Sequence, residues 1–372
     1  MVRKTFKHKR ISILNLLLII LLGIVAARVI ILQNTISTIN EKIRPAEISL
    51  KIVEKPDCSE CSDVSSTISI ISESKVKIKE NKTISFSSQE AQQLIQNYEI
   101  KRLPAIIIEG EINKTQELEA LWNKLNGNII DNVVIIESDA PYFDPQTNSI
   151  VGLVELVKIV DRECQKCFNI DNVVNQFRQI GVKFVNEKVL DYTDSEAQSL
   201  IKKFGIRRIP AVILSREVTE YRAIQSFWDQ LNATLKDGFY ALHTTIPPYR
   251  DLETNSIKGL VELILLTDNS CSACYNVSVH RLILNSMGIS IAKENSFDIS
   301  SEQGRNLISK YNITAVPTIL LSSDAIEYSF FSSPSALQLF RRYNDGWFVF
   351  TNVDWMRSNG GYKDLTTGNI VK

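Results

Sequence analysis

CQKC occupies residues 164–167, and a proline follows its first cysteine by 46 residues (210 − 164) in the stretch FGIRRIPAV (204–212). The same arrangement recurs on both sides of it in this chain of 372 residues. The other two pairs lie in CSEC and CSAC, and the corresponding prolines lie in YEIKRLPAI (98–106) and YNITAVPTI (311–319). The three pairs account for all six cysteines and are 106 (164 − 58) and 107 (271 − 164) residues apart. The sequence therefore predicts three copies of one unit.

A second motif ends each copy. It reads YFDPQTNSIVG (142–152), YRDLETNSIKG (249–259) and YKDLTTGNIVK (362–372). Its Asp, Thr, Asn and Gly residues between short apolar flanks are typical of a β-hairpin or a tight turn. We interpret the motif as a spacer between copies, without a function of its own.

The copies share a pattern of apolar segments around the pair and the proline. In the second copy, LVELVKIV (153–160) precedes CQKC, VKFVNEKV (182–189) follows it, and DSEAQSLIKKFGI (194–206) has apolar residues at helical spacing. An apolar segment follows each proline, and a further helix is expected around Trp122 and Trp228. This pattern predicts the order β, C-x-x-C at the start of a helix, β, α, Pro, β, β, α.

The N-terminus has the features of a membrane anchor. The first ten positions contain five basic residues and no acidic residue, and residues 11–32 read ISILNLLLIILLGIVAARVIIL. An apolar segment of this length is sufficient to cross a bilayer, and the basic flank predicts a cytoplasmic N-terminus with the body outside. A signal peptide cleaved near residues 25–27 is the competing interpretation. Under both interpretations the body of the protein is exported from the cytoplasm.

The charge of the body excludes one class of partner. The chain has 42 basic and 42 acidic residues, so without the five basic residues of the tail it has 37 (42 − 5) against 42. A body with a net charge of −5 is poorly suited to a nucleic-acid backbone, and we expect no nucleic-acid partner.

The predicted organisation is a basic cytoplasmic tail, a transmembrane signal anchor, a stalk and three domains. In that order, the predicted bounds are 1–10, 11–32, 33–46, 47–152, 153–259 and 260–372. The protein is thus expected in a membrane, as a single-pass protein with an extracytoplasmic body.

The combination of a strand, a C-x-x-C pair before a helix, and a proline before a later strand resembles the thioredoxin fold. On these motifs the chain is identified as three tandem thioredoxin-like domains, an α/β fold in which helices flank mixed sheets. The resemblance implies cis peptide bonds before the three prolines, and it implies that the backbone of the preceding residue holds an extended substrate. These roles are carried over to Leu103 and Pro104, Ile209 and Pro210, and Val316 and Pro317.

The pairs depart from the thioredoxin pattern in their neighbours. Asp57, Glu163 and Ser270 stand where thioredoxins have a tryptophan before the first cysteine. The buried acid of that family, expected six residues before the first cysteine, also has no counterpart, because Ile52, Lys158 and Leu265 lie there. These differences argue against a thioredoxin-like reductase activity but leave dithiol chemistry intact.

The expected placement of the cysteines predicts their roles. A thiolate at a helix N-terminus is stabilised by free N–H groups and the helix dipole, and a partner one turn later can resolve a mixed disulfide. The predicted attacking cysteines are Cys58, Cys164 and Cys271, and the predicted resolving cysteines are Cys61, Cys167 and Cys274. Inert local disulfides are the alternative.

Metal and cofactor sites are not expected. A structural zinc site needs four ligands, whereas the three pairs lie in three separate copies. The three histidines, His8, His243 and His280, are not spaced as partners for the pairs. No phosphate-binding loop or dinucleotide fingerprint is evident in the sequence, so we expect no cofactor.

The sequence favours an extracytoplasmic, membrane-anchored thiol:disulfide oxidoreductase. It would act as an oxidase, isomerase or reductase of exported proteins that carry thiols or disulfides, together with a membrane or soluble redox partner. The alternative is a non-catalytic binding or chaperone scaffold of thioredoxin fold, in which the disulfides are structural.

Overall fold

A computed structural model describes residues 13–243 and 246–372. The predicted basic tail 1–10 lies outside the described residues. The chain separates into two compact units, Met1–Val151 and Gly152–Lys372. The described residues of the first unit contain one five-stranded sheet, and those of the second contain two.

Helix α1 (Ile13–Ile43) runs without a break past the predicted end of the membrane span at residue 32. Within it, Ile20–Ser37 is long and apolar enough to cross a bilayer, although a signal sequence has the same features. The helix therefore includes most of the predicted stalk, 33–46. Directly after it, Arg44 donates two hydrogen bonds to the carboxylate of Glu111, at 2.6 and 2.5 Å. This bidentate ion pair joins the end of the helix to the first sheet.

The first copy forms a mixed sheet in the order β2-β1-β3-β5-β4, with β1 parallel to β2 and antiparallel to β3. Its elements are β1 (Ala46–Glu54), α2 (Ser65–Glu73), β2 (Val76–Ser85), α3 (Gln89–Asn97), β3 (Ala105–Gly110), α4 (Gln116–Lys124), β4 (Asn128–Ile130), β5 (Val133–Glu137), β6 (Tyr142–Asp144) and β7 (Ser149–Val151). Alternation along β1 directs Ile48, Leu50 and Ile52 to one face, and Val53 packs in a second apolar cluster.

The second copy repeats this topology in the order β9-β8-β11-β13-β12. Its elements are β8 (Val154–Val160), α5 (Asp171–Gln179), β9 (Phe184–Asp191), α6 (Ser195–Phe204), β10 (Arg208–Ile209), β11 (Ala211–Ser215), α7 (Arg222–Gln225), β12 (Ala233–Lys236), β13 (Phe239–Leu242), β14 (Tyr249–Asp251) and β15 (Ser256–Lys258), with 3-10 helices at Arg216–Glu220 and Trp228–Leu231. Strand β8 is parallel to β9 and antiparallel to β11, as in the first copy.

The third copy has the order β17-β16-β19-β21-β20. Its elements are β16 (Val261–Thr267), α8 (Val279–Ser286), β17 (Ile291–Asp298), α9 (Glu302–Tyr311), β18 (Ala315–Val316), β19 (Thr318–Leu321), α10 (Pro334–Leu339), β20 (Phe340–Arg342), β21 (Phe348–Phe350), β22 (Tyr362–Asp364) and β23 (Ile370–Val371), with 3-10 helices at Ser323–Glu327, Ser329–Ser332 and Val353–Asn359. The mixed sheets with flanking helices are consistent with a repeat of thioredoxin-like domains.

The prediction that each cysteine pair opens a helix was wrong. The helices α2, α5 and α8 begin four or five residues after the second cysteine. In each copy, an Asp or Asn between the pair and the helix accepts a hydrogen bond from the backbone N–H two residues later: Asp63 from Ser65, Asn169 from Asp171, and Asn276 from Ser278. These local turns delay the helix. The effect of the helix dipole falls off within the first turn, so it stabilises the thiolates less than expected.

The predicted order of the last elements was also wrong. A helical segment precedes the final two strands of each sheet instead of following them. In the first copy, α4 returns the chain to the end of the sheet where β3 began. The hairpin of β4 and β5 can then place β5 antiparallel beside β3. Trp122 lies in α4, as predicted for a helix, whereas Trp228 lies in a short 3-10 helix.

Candidate functional site

Each cysteine pair forms a disulfide in a turn that follows the first strand of its copy, β1, β8 or β16. The bonds join Cys58 to Cys61, Cys164 to Cys167, and Cys271 to Cys274. Within each turn, the N–H of the second cysteine donates to the carbonyl of the first, at 3.4, 3.3 and 3.3 Å respectively. The two sulfurs of a pair are thus presented together on one loop.

The three predicted prolines lie beside the disulfides. The peptide bonds of Leu103-Pro104, Ile209-Pro210 and Val316-Pro317 are cis, which confirms that prediction. In the first copy, both cysteines pack on the apolar cluster that contains Leu103. In the second, Pro210 lines one pocket with Cys164 and Cys167. In the third, the sulfur of Cys274 lies 4.0 Å from the carbonyl oxygen of Val316.

The backbone before each proline is already paired with the hairpin that ends the same copy. In the first copy, Leu103 and Phe143 exchange both backbone hydrogen bonds, each at 2.9 Å. In the second, Ile209 pairs with Arg250, and in the third, Val316 pairs with Lys363. The repeated motif was correctly predicted as a hairpin, but it is not a mere spacer. It occupies the strand edge that the family resemblance assigns to substrate.

The same hairpin segments also contact the C-x-x-C turns. The N–H groups of Ser62 and Phe168, each the residue after a second cysteine, donate to the carbonyls of Pro141 and Pro248 at 2.7 Å. Both prolines follow further cis peptide bonds, which the sequence did not predict. In the third copy, Gly361 forms a parallel bridge with Cys274. A Cβ at position 361 would lie 2.6 Å from the carbonyl oxygen of Val371 and 3.1 Å from that of Ala273, so the close approach requires glycine.

A buried acid lies beside the second disulfide. Asp161, three residues before Cys164, has a side chain that is 0% exposed, and Nε of Arg250 donates to its carboxylate at 2.7 Å. A carboxylate oxygen of Asp161 and the sulfurs of Cys164 and Cys167 all lie within 4.8 Å of one another. Cysteine binds metals as a thiolate, so these two sulfurs are not metal ligands while they are joined in a disulfide.

The third copy repeats this acid and its partner. Asp268, three residues before Cys271, has a side chain that is 4% exposed, and Nζ of Lys363 donates to it at 2.6 Å. Burial alone would raise the pKa of Asp268. The hydrogen bonds from Lys363 and Ser270 outweigh burial and hold that pKa below its usual range. Asp268 is therefore charged at neutral pH.

At these two positions the first copy has a lysine and a phenylalanine in place of the acid and the base. Lys55, three residues before Cys58, lies over the ring of Phe143, with Nζ 5.3 Å from the ring centroid. A cation on an aromatic face thus replaces the acid and base of the other two copies.

The acids Asp161 and Asp268 were missed from the sequence, where the acid was expected six residues before the cysteine. A signal was present. Wherever an acid stands three residues before the pair, the second position of the terminal motif is basic: R in YRD and K in YKD. In the first copy, Lys55 stands three residues before the cysteine pair, and the second position of the motif is the phenylalanine of YFD.

The three first cysteines differ in exposure. Cys58 and Cys164 are half-buried, whereas Cys271 is only 9% exposed. The loop of CQKC also contacts the third copy, because Nζ of Lys166 donates to the carbonyl of Ala292 at 3.0 Å. Access to the sulfurs is thus unequal among the three sites.

A buried histidine stands behind the third site. The hydroxyl of Tyr275 donates to the carbonyl of Pro317 at 2.7 Å and lies 3.0 Å from Nε2 of His280. Because that hydroxyl has one proton, Nε2 of His280 must donate the second bond. His280 is 4% exposed and packs on Phe350, and burial lowers its pKa to about 4.

His280 should make the stability of the second unit depend on pH. Between pH 6.5 and 4, the unfolded state takes up a proton that the folded state excludes, so stability is lost as pH falls through this window. The loss should approach about 3 kcal/mol, from about 1.4 kcal/mol for each unit of pKa difference. We expect His280→Phe to reduce the difference in unfolding free energy between pH 7 and pH 4.5 by about 2 kcal/mol, measured by urea unfolding at both pH values. An unchanged slope would contradict the assignment.

Several solved structures are similar to this chain at a low level. The alkylhydroperoxide reductase protein AhpF from Enterococcus faecalis is 15% identical, with 46% of this chain and 81% of that chain covered and a TM-score of 0.16. Human ERp44 is 10% identical, with 82% and 86% covered and a TM-score of 0.15. A protein disulfide oxidoreductase from Aeropyrum pernix is 17% identical, with 46% and 77% covered and a TM-score of 0.14. No protein-family model matches the chain, and neither does any curated protein.

Proposed function

We propose that the chain is an extracytoplasmic, membrane-anchored thiol:disulfide oxidoreductase built from three thioredoxin-like domains. One observation carries the proposal: each copy holds a C-x-x-C disulfide next to the backbone that precedes a cis proline. A disulfide on a loop can exchange with client thiols, and the neighbouring strand edge can hold the client in an extended form when the hairpin paired with that edge is displaced. The arrangement occurs three times.

The chemistry is a two-step exchange. A client thiolate attacks the sulfur of the first cysteine, the S–S bond of the pair breaks, and the second cysteine leaves as a thiolate. A second client thiolate then attacks the client sulfur of the mixed disulfide and releases the first cysteine. The client loses two electrons and two protons, and the pair gains them. The reverse sequence reduces a client, and paired reverse and forward steps isomerise it.

A further redox partner must return the cysteine pair to its starting oxidation state after each net transfer of electrons. We propose that this partner carries a disulfide or a dithiol and exchanges with the same sulfurs, in the membrane or in solution. The clients are exported proteins with thiols or disulfides, because disulfides persist outside the cytoplasm. The first cysteines Cys58, Cys164 and Cys271 are proposed as the attacking residues of the reduced pairs.

The alternative function, a binding scaffold with structural disulfides, is separated from this proposal by capture of clients. A full-length chain in which the second cysteine of each pair is serine should retain a client as a mixed disulfide. A scaffold would bind the same client without a covalent bond. Capture in a non-reducing gel therefore tests the proposed function.

Membrane topology is tested with intact cells. Because the basic residues precede the apolar helix, we propose that the N-terminus is cytoplasmic and that residues 33–372 are outside. Protease added to intact cells should remove the body of the protein and leave a short membrane fragment. A cytoplasmic protein of the same cells should stay intact as the control. Full protection of the body would contradict this orientation.

A further inference from the structure

Each disulfide lies between two backbone segments of its copy, and one hairpin forms hydrogen bonds with both of them. These segments are the residue after the second cysteine and the residue before the cis proline. In the first copy, the chain from Pro141 to Phe143 accepts a bond from Ser62 on one side and exchanges two bonds with Leu103 on the other. The other copies repeat this arrangement. An extended piece of this protein therefore lies in the place where an extended client would lie.

The side chain opposite the residue before the cis proline contacts the residue three positions before the first cysteine. The contact is Arg250 with Asp161 in the second copy and Lys363 with Asp268 in the third. In the first copy it is Phe143 with Lys55. The backbone pairing is the same in all copies, whereas the two side chains change together. The residue three positions before the first cysteine is thus complementary to one side chain of the strand that lies beside the cysteine pair.

We propose that each hairpin occupies the position that a segment of a client would take. Asp161 and Asp268 then select client segments with Arg or Lys, and Lys55 selects segments with an aromatic residue. This inference rests on the proposed function, since it names the clients of the same three sites. The three domains would then divide the clients by sequence. Two sites would take basic segments, and one would take aromatic segments.

Backbone pairing does not distinguish one client from another. Any extended segment can reproduce the two hydrogen bonds that Phe143 makes with Leu103, because they use only main-chain groups. Selection must therefore come from the side chain at that position. At this position the three hairpins have Phe143, Arg250 and Lys363.

The strongest selection is expected at the second site. The side chain of Asp161 is fully buried, so removing Arg250 without a replacement leaves a buried charge unpaired. A client with Arg restores the pair, and we expect it to be favoured over a client with Glu by about 100-fold. At the third site Lys363 is 27% exposed, and water weakens the pair to about tenfold. At the first site, a cation over a ring should give about threefold.

The hairpins differ in how firmly they are held. The strands β22 and β23 of the third hairpin are short and mostly half-exposed. The second hairpin is held more firmly, because Tyr249 is buried and its hydroxyl donates to Glu327 at 2.5 Å. Short two-stranded hairpins are marginally stable on their own. We expect the third site to open to clients most readily, and the second to be slower but more selective.

The test uses full-length chains that keep one cysteine pair, with the other four cysteines replaced by serine. Each reduced chain is mixed with peptides that carry one cysteine as a mixed disulfide with glutathione. The peptides have Arg, Phe or Glu on both sides of that cysteine. The pair becomes a disulfide, and the products are a peptide thiol and glutathione. We expect the second-order rate constants of this exchange to have the ratios for Arg over Glu given above at the second and third sites, and to favour Phe at the first.

Paired substitutions identify the residues responsible. Asp161→Leu together with Arg250→Leu should reduce the preference at the second site to within about threefold, because a buried ion pair can be replaced by apolar groups. Asp268→Lys with Lys363→Asp should reverse the preference at the third site toward Glu. Glu187→Gln removes one negative charge from an ion pair with Arg178 on the surface, and should leave the preferences unchanged.

The outcomes separate this inference from the proposed function. Exchange at equal rates with all three peptides would overturn the inference and leave the function standing. If no chain exchanges with any peptide, the proposed function fails. The inference is then tested by the binding of fluorescent, thiol-free peptides to a full-length chain in which all six cysteines are replaced by serine. Tighter binding of the Arg peptide, lost in the Asp161→Leu and Arg250→Leu chain, would support it, and equal binding would overturn it.

Discussion

Replacing Cys61, Cys167 and Cys274 by serine is expected to convert a transient mixed disulfide into the main product. The remaining cysteine of each pair attacks a client disulfide, one client sulfur leaves as a thiolate, and no neighbouring thiol of the same pair is present to release the client. In the native turn the two sulfurs of a pair are adjacent, so resolution is intramolecular. Its loss should lengthen the lifetime of the mixed disulfide at least about 100-fold. Non-reducing gels and mass spectrometry of the captured species measure this.

The matched control replaces the first cysteines, Cys58, Cys164 and Cys271, by serine. These chains have the same number of thiols but lack the proposed attacking sulfur, and they should capture much less client. Equal capture by both sets would contradict the assigned roles, and greater capture by the control set would reverse them. No capture by any chain would identify the disulfides as inert.

Trp122→Ala should destabilise the first unit by about 3–5 kcal/mol, the range for an aromatic residue removed from a core. The side chain of Trp122 is 0% exposed and packs on the face of β1 that contains Ile48 and Leu50. Its indole N–H also donates to the carbonyl of Ile112 at 2.9 Å, and the substitution leaves this acceptor without its partner. Urea unfolding followed by hydrogen exchange and mass spectrometry can report the first unit separately.

The control is Trp355→Ala in the second unit. Trp355 is an exposed residue, and its removal should change stability by less than about 0.5 kcal/mol. Peptides of the second unit should exchange at the native rate in the Trp122→Ala chain, because the two units are compact on their own. A loss below about 1 kcal/mol in the first unit would show that α4 contributes little to that core.

The features that the sequence predicted correctly are set by local spacing. The distance of 46 residues between cysteine and proline, repeated three times, identified the three copies and their cysteine pairs. The resemblance to the thioredoxin fold then implied the cis bonds before Pro104, Pro210 and Pro317, which the structure has. The turn residues of YRDLETNSIKG predicted a hairpin, because such residues favour a tight turn whatever surrounds them. The strand that leads into each pair was likewise evident from its apolar residues.

The features that were missed depend on contacts between distant residues. Asp161 is buried because Arg250, 89 residues later, neutralises it, and periodicity within either segment does not show this. The pairing of the hairpins with Leu103, Ile209 and Val316 is likewise a tertiary contact. The late helix start is different, since the side chains that delay it, such as Asn169, are part of the local sequence.

The position of each hairpin at the end of its own copy has a consequence during synthesis. Tyr142 follows Cys58 by 84 residues (142 − 58), and Tyr249 follows Cys164 by 85 (249 − 164). At about 5–20 residues per second, each of these two cysteine pairs exists for about 4–17 s before the strand that will lie beside it has been made. During this time the strand edge of the new domain is open. We expect each disulfide to form in the open domain, on the growing chain, before its hairpin can dock.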